Sequence, residues 1–291
     1  MDGRGAGRGR LREALFPIYG KGEMVKFFTL GGIQFFIIFV LTLTRDMKDT
    51  LIVTTCGAEA ISFLKVYGVL PSATAFMLGY SKLSTMVSKR TLFYTTASPF
   101  FVFYLIFALL VYPRTDTLHP TVALGSYPEG LSYLVKIFNN WTYALFYVVS
   151  ELYSSVSIGV LFWQFANDIV PVKQAKRFYP LFGQLSSLAP VVAGQCVVRF
   201  ATSSTFTYTL RLLTVRLRGV AIFGLYEASN ALVTRERTKA ALALEGADTG
   251  SPSKKPKLGL LDSFKVLGKS KYLGYLSTLV LGYGLAINMT E

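Results

Sequence analysis

The sequence predicts an all-α, multi-pass membrane protein. Three observations carry that reading. Of 291 residues, 52% are hydrophobic and only 16% are charged, against about 25% charge in ordinary soluble domains. The apolar residues gather in blocks of roughly 20, the length a helix needs to cross a bilayer. The blocks show no apolar–polar alternation, so helices rather than barrel strands must satisfy the backbone within lipid.

Seven such segments follow in order. The first is 27–44, "FFTLGGIQFFIIFVLTLT", and the second 60–79, "AISFLKVYGVLPSATAFMLG". The third is 92–112, and the fourth, 141–166, is the longest. The fifth is 178–198. The sixth, near 208–226, is interrupted by Arg211, Arg216 and Arg218, which mark either an anion pathway or a misplaced boundary. The seventh, 272–290, is "YLGYLSTLVLGYGLAINMT". Tyr and Trp near the segment ends fit interfacial belts.

The net charge of +14 would suggest nucleic acid in a soluble protein. Its distribution points to membrane orientation instead, and no nucleic-acid partner is expected. With the N-terminus inside, 21 of the 30 Lys and Arg residues fall in the tail and inner loops. Five, namely Arg45, Lys48, Arg114, Lys136 and Arg199, fall outside. That asymmetry is the positive-inside pattern. The expected organisation is a basic tail at 1–26, a six-helix bundle at 27–226, a basic inner loop at 227–271 and a seventh helix at 272–291. The loop contains "EGADTGSPSKKPKLG" and reads as a linker. Six spans, a long basic loop and a seventh span match the layout of a two-bundle transporter. The chain is therefore expected to be about the first half of a longer protein.

Catalytic chemistry finds little support. Cys56, Cys196 and His119 are scattered and lack metal-ligand spacing. "LGKS" at 267–270 resembles the end of a phosphate-binding loop, but Ser263 stands where that loop needs its first glycine. No Ser/His/Asp set or catalytic carboxylate pair stands out. The chain is read as a transporter rather than an enzyme, with no cofactor. Two sequons, at Asn140 and Asn288, are short matches.

Ionisable residues inside the apolar segments are the candidate site, because charge is costly in a bilayer. Lys65 lies two turns into the second segment. It either snorkels to the interface or faces a cavity and an anionic substrate; the second reading is preferred. Glu151 lies in the middle of the fourth segment. It is either a buried partner for a lysine or a substrate- or proton-coupling group, and again the functional reading is preferred. "TLTRDMKDT" at 42–50 puts Arg45, Asp46, Lys48 and Asp49 at the end of the first segment. A solvated helix end and an anion-selecting cavity mouth fit it equally.

Several long blocks then carry a resemblance. They are "RDMKDTLIVTTCGAEAISFLKVYGVLPSATAFMLGYSKLS", "LFYTTASPF", "YPRTDTLHP", "ALFYVVSELYSSVSIGVLFWQFAND" and "QAKRFYPLFGQLSSLAPVVAGQ". Together they resemble the ATP/ADP translocase family of plastids and obligate intracellular bacteria, over about residues 15–291. The "FPIYG", "TLTRD" and "CGAEA" wording is most similar to diatom and related algal plastid members. The resemblance implies a major-facilitator-like bundle in the lipid bilayer and exchange of ATP for ADP or other nucleotides. Proton-coupled import of nucleotides or another anionic solute is the alternative, and a non-transporting fragment is a third reading. It implies the plastid inner envelope, with a bacterial inner membrane as the alternative. It also implies that Lys65, Glu151 and Glu291 matter for transport. Lys65 would attract phosphates, and Glu151 would be its counter-charge in the empty carrier or the site of proton or substrate coupling. Ser62 stands where the family has proline.

Overall fold

The computed structural model describes residues 20–122, 132–156, 162–201 and 270–290. Among them every regular element is a helix. Helix α1 spans Gly20–Thr55, α2 Glu59–Met86, α3 Lys89–Leu118, α4 Ser132–Asn139 and α5 Trp141–Val156. Helix α6 spans Gln164–Ile169, α7 Val172–Ser186, α8 Leu188–Ala201 and α9 Lys271–Thr290. Gly22–Thr55, Glu59–Met86, Lys89–Leu118 and Gln174–Arg199 are each long and apolar enough to cross a membrane. They answer to the first, second, third and fifth expected segments. The fourth is described as α5 and α6, on either side of 157–161. Helix α9 covers the seventh. The expected sixth segment and its three arginines lie outside the described residues, as does almost all of the 227–271 loop.

Helix α1 is the axis of the bundle. It packs against α5, α7 and α8. Its inward face puts Phe27, Leu30, Ile33, Ile37 and Val40 into one core with Phe93, Phe100 and Phe107 of α3, Phe146 and Tyr153 of α5, and Phe178 and Phe182 of α7. The core is unusually aromatic. Phe27 stacks on Phe182 at 5.2 Å, and Phe107 meets Phe146 at 4.5 Å between centroids.

Helix α1 differs from its expected extent at both ends. It begins by Gly20, so Glu23 and Lys26 belong to the helix rather than to a tail. It also runs through "TRDMKDT" without a break and stops only at Thr55. Two local features allow this. Thr44, Thr50, Thr54 and Thr55 each donate a hydroxyl hydrogen bond to the carbonyl four residues back, so these polar side chains are satisfied within the helix. Termination is left to Gly57, whose φ of 95° is a left-handed conformation that glycine adopts without a Cβ clash.

Helices α2 and α3 each contain a π-helical turn, at Leu64–Val69 and Phe107–Val111. Each turn leads into a proline, Pro71 and Pro113. Proline has no N–H to donate and its ring crowds the carbonyl four residues back. The chain widens one turn in response: the Leu70 N–H reaches Lys65 O, and the Tyr112 N–H reaches Phe107 O. The first of these turns carries Lys65.

Candidate functional site

The site is built where α1, α2 and α5 meet. Thr44, Lys48 and Ile52 of α1, and Cys56 just past its end, follow one another at i, i+4 spacing and are all buried. Lys48 therefore lies on the inward stripe of the helix, and its whole side chain is enclosed. On α5, Ala144 and Tyr147 face Ile52 of α1, Cys56 of the turn that follows it, and Ala60 and Leu64 of α2 in one apolar cluster. Glu151 follows Tyr147 by one turn. Helix spacing thus puts it on the same side of α5, at the level of Lys48.

The Lys48 ammonium bridges two carboxylates. Its Nζ lies 2.7 Å from Glu151 Oε1 and 2.6 Å from Asp49 Oδ1. The Tyr147 ring lies beneath it, 4.3 Å from ammonium to centroid. The Lys48 side chain is 5% exposed, Glu151 19% and Asp49 41%. An unpaired ammonium at that depth would be prohibitive, and the two short contacts together with the ring face offset its desolvation. Of Lys48, Asp49 and Glu151, the parts that reach the surface are the two carboxylates.

Lys65 sits on the π-helical turn of α2 and is half-buried. That turn packs closely on α5. A Cβ at Gly68 would approach Val148 Cγ2 to 2.8 Å, so only glycine admits this spacing. Gly68 is one turn from Lys65, and Val148 is one turn from Glu151. The fold therefore carries both candidate residues on the facing segments of two helices, while Lys48 provides the cation on Glu151 Oε1. Arg45 and Asp46 are exposed on the turn of α1 before Lys48. Glu291 lies outside the described residues. Tyr147 and Gly68 were not among the sequence candidates, although the spacing Ala144, Tyr147, Glu151 is a helical face that could have marked the tyrosine.

Two further networks tie the helix ends. Toward the N-terminal end of α1, Glu23 accepts two hydrogen bonds from Arg177, at 3.1 and 3.0 Å, and one from Gln174 at 3.0 Å. Beyond the end of α3, His119 Nε2 lies 2.6 Å from Thr142 Oγ1, and the ring packs edge-on against Tyr143 at 4.9 Å. Burial lowers the His119 pKa from its ordinary value, against the smaller opposing effect of Asp116. Among the described residues no cluster of three or more His, Cys, Asp or Glu side chains could hold a metal ion.

The sequence that folds into this bundle is similar to those of known proteins. Residues 4–291 match the profile of the TLC ATP/ADP transporter family. The chain belongs to that family. It is 38% identical over 299 residues to ADP,ATP carrier protein 1 of Chlamydia pneumoniae, covering 97% of this chain and 58% of that protein. It is 34% identical over 306 residues to ADP,ATP carrier protein 3 of Rickettsia typhi, covering 97% of this chain and 60% of that protein. The chain thus spans less than two thirds of the length of these carriers. No solved structure matches it.

Proposed function

We propose that this TLC-family chain is part of a nucleotide carrier that exchanges ATP for ADP across a membrane. The observation that carries the reading is the charge cluster in the apolar bundle: Lys48 paired to Glu151, beside the π-helical turn that carries Lys65. Charge is retained at such depth where it serves a polar path. The ADP,ATP carriers of Chlamydia and Rickettsia support the choice of substrate.

In this reading Lys65 meets the nucleotide phosphates. A cation is more effective there than in water, because the surrounding dielectric is low. Glu151 contacts the substrate side of the path, and Arg45 lies near its mouth. Exchange follows if the empty carrier reorients poorly and bound nucleotide favours the transition. The membrane proposed is the plastid inner envelope, on the algal wording of the sequence. The bacterial relatives leave a bacterial inner membrane as its alternative.

The test is uptake of labelled ATP by intact bacterial cells expressing the full-length gene product, followed by a chase with excess unlabelled ADP. Uptake with rapid release on the chase is the expected result. Uptake without release would replace exchange by proton-driven import. No uptake from protein shown to be in the membrane would overturn the nucleotide reading.

A further inference from the structure

Lys48 was a candidate for direct contact with an anionic substrate, but its surroundings leave no place for one. An ammonium has three N–H donors and no acceptor. Two carboxylate oxygens take up positions at 2.6 and 2.7 Å, and the Tyr147 ring closes the remaining side at 4.3 Å. With the side chain 5% exposed, a phosphate would have to displace these partners to reach it. Glu151 keeps 19% exposure and remains within reach.

We propose that Lys48 is a positioning residue for nucleotide transport, fixing the Glu151 carboxyl by its Oε1 and contacting no nucleotide itself. This rests on the transport reading above. Three features suit Lys48 to the task. It projects from the buried stripe of an unbroken 36-residue helix, so its base does not move independently of the bundle. Its neighbours along that stripe, Thr44 and Ile52, are both buried, so the lysine stem leaves the helix on its enclosed face. The bridge links α1 to α5, so the orientation of Glu151 is set by a different helix from its own. A functional side chain held by a second residue on a rigid element is more exact than one left to its own rotamers. Asp49 shares the ammonium, so the lysine stays neutralised when Glu151 moves or binds something else. Removing Lys48 instead takes the bridging ammonium away from both carboxylates.

The experiment uses the full-length gene product in bacterial cells. It compares wild type with Lys48→Met, Lys48→Arg, Glu151→Gln and the double variant Lys48→Met/Glu151→Gln. Maximal exchange rate per carrier in the membrane and half-saturating ATP are read separately from carrier abundance. Lys48→Met and Glu151→Gln are each expected to lower the maximal rate by roughly tenfold or more. The double variant should be no slower than the worse single, because both changes act through one carboxylate. Lys48→Arg should recover most of the rate. Losses that multiply in the double variant would mean that Lys48 acts on its own, and would overturn the proposal. Loss of abundance with an unchanged rate per carrier would make Lys48 merely structural, which also overturns it.

A second readout does not need transport. A hydrophobic carbodiimide reacts with membrane carboxyls that have lost their ionic partner, and mass spectrometry locates the adduct. Glu151 should be labelled in Lys48→Met and spared in wild type and Lys48→Arg. Equal labelling in all three overturns the positioning role even if the wild-type protein carries no nucleotide. If Lys48→Met does not accumulate, Lys48→Gln replaces it, keeping a donor while removing the charge. A wild-type carrier without exchange but with the expected labelling pattern would refute the transport reading alone.

Discussion

Gly68 and Val148 are in such close apposition that a single methyl added to the glycine would lie 2.8 Å from the valine Cγ2. This contact sets the distance between α2 and α5, and with it the distance between the segments that carry Lys65 and Glu151. Valine is branched at Cβ and has little rotamer freedom on a helix. Gly68→Ala must therefore push the helices apart, at a cost of about 1–3 kcal/mol. Gly31 provides the contrast. Its added Cβ would clash with Leu185 Cδ2, at 2.6 Å, the tip of a rotatable side chain, and would meet Phe182 at ordinary contact distance. There the clash can be relieved, and the better helix propensity of alanine offsets up to about 1 kcal/mol. Thermal unfolding of the purified carriers should show Gly68→Ala clearly destabilised and Gly31→Ala close to wild type. Equal losses would mean that the α2–α5 spacing is not set by the glycine.

Lys65 gives the sharpest functional prediction. If its ammonium meets nucleotide phosphates within the bilayer, Lys65→Ala should reduce ATP uptake by roughly a hundredfold, the scale expected for losing one partner of a desolvated charge pair. Lys65→Arg keeps the charge but replaces a point cation with a planar fork, so it should retain only part of the rate. Normal uptake by Lys65→Ala, at equal membrane abundance, would remove Lys65 from the nucleotide path.

The ion pairs near the helix ends should differ in worth. Arg177 holds Glu23 through two nitrogens, and the two side chains are only 25% and 20% exposed. Arg177→Ala should cost about 1–3 kcal/mol, since charge-assisted hydrogen bonds in partly buried sites are among the stronger ones. Lys89 and Asp168 lie 2.6 Å apart, but Lys89 is 73% exposed. Solvent screening leaves such a pair about 0–1 kcal/mol. Lys89→Ala should therefore shift the melting temperature little, and raised salt should narrow its difference from wild type further.

The apolar helices were legible because hydropathy is additive along a segment: the first, second, third and fifth expected spans reappear as Gly22–Thr55, Glu59–Met86, Lys89–Leu118 and Gln174–Arg199. The true length of α1 was not, because the same additive reading treats "TRDMKD" as a hydrophilic stop. In the fold the charge of Lys48 is shared between Asp49 beside it and Glu151 on another helix, and Arg45 and Asp46 turn outward. A cost that is cancelled by a tertiary partner cannot be read from one segment. Glu151 and Lys65 stood out in the sequence because an ionisable group in an apolar run needs a reason. Which cation lies on Glu151 depended on the packing of α1 against α5. The Thr44, Lys48, Ile52, Cys56 spacing held a hint of it, since a lysine in register with buried neighbours is on the inward face. The π-helical turns were foreshadowed by Pro71 and Pro113, which remove a backbone donor in otherwise continuous helices.

His119 makes the folded protein sensitive to acid. It packs between Thr142 and Tyr143 just beyond the end of α3, and burial keeps its pKa below the ordinary value of about 6.5. The unfolded chain therefore binds a proton here more readily than the folded one. In the range between the lowered folded value and the ordinary one, the unfolded state holds more protons, so stability rises with pH. The contribution is fully present above the ordinary histidine value and is lost as pH falls through the folded one. Asp116 works in the opposite direction, so His119→Gln should be compared with Asp116→Asn. Melting temperatures recorded from about pH 8 down to about pH 5 should fall for the wild type on the acid side. His119→Gln should flatten that fall, and Asp116→Asn should steepen it, because removing the carboxylate takes away a group that favours the charged ring. An acid-side slope unchanged by His119→Gln would show that other groups set it.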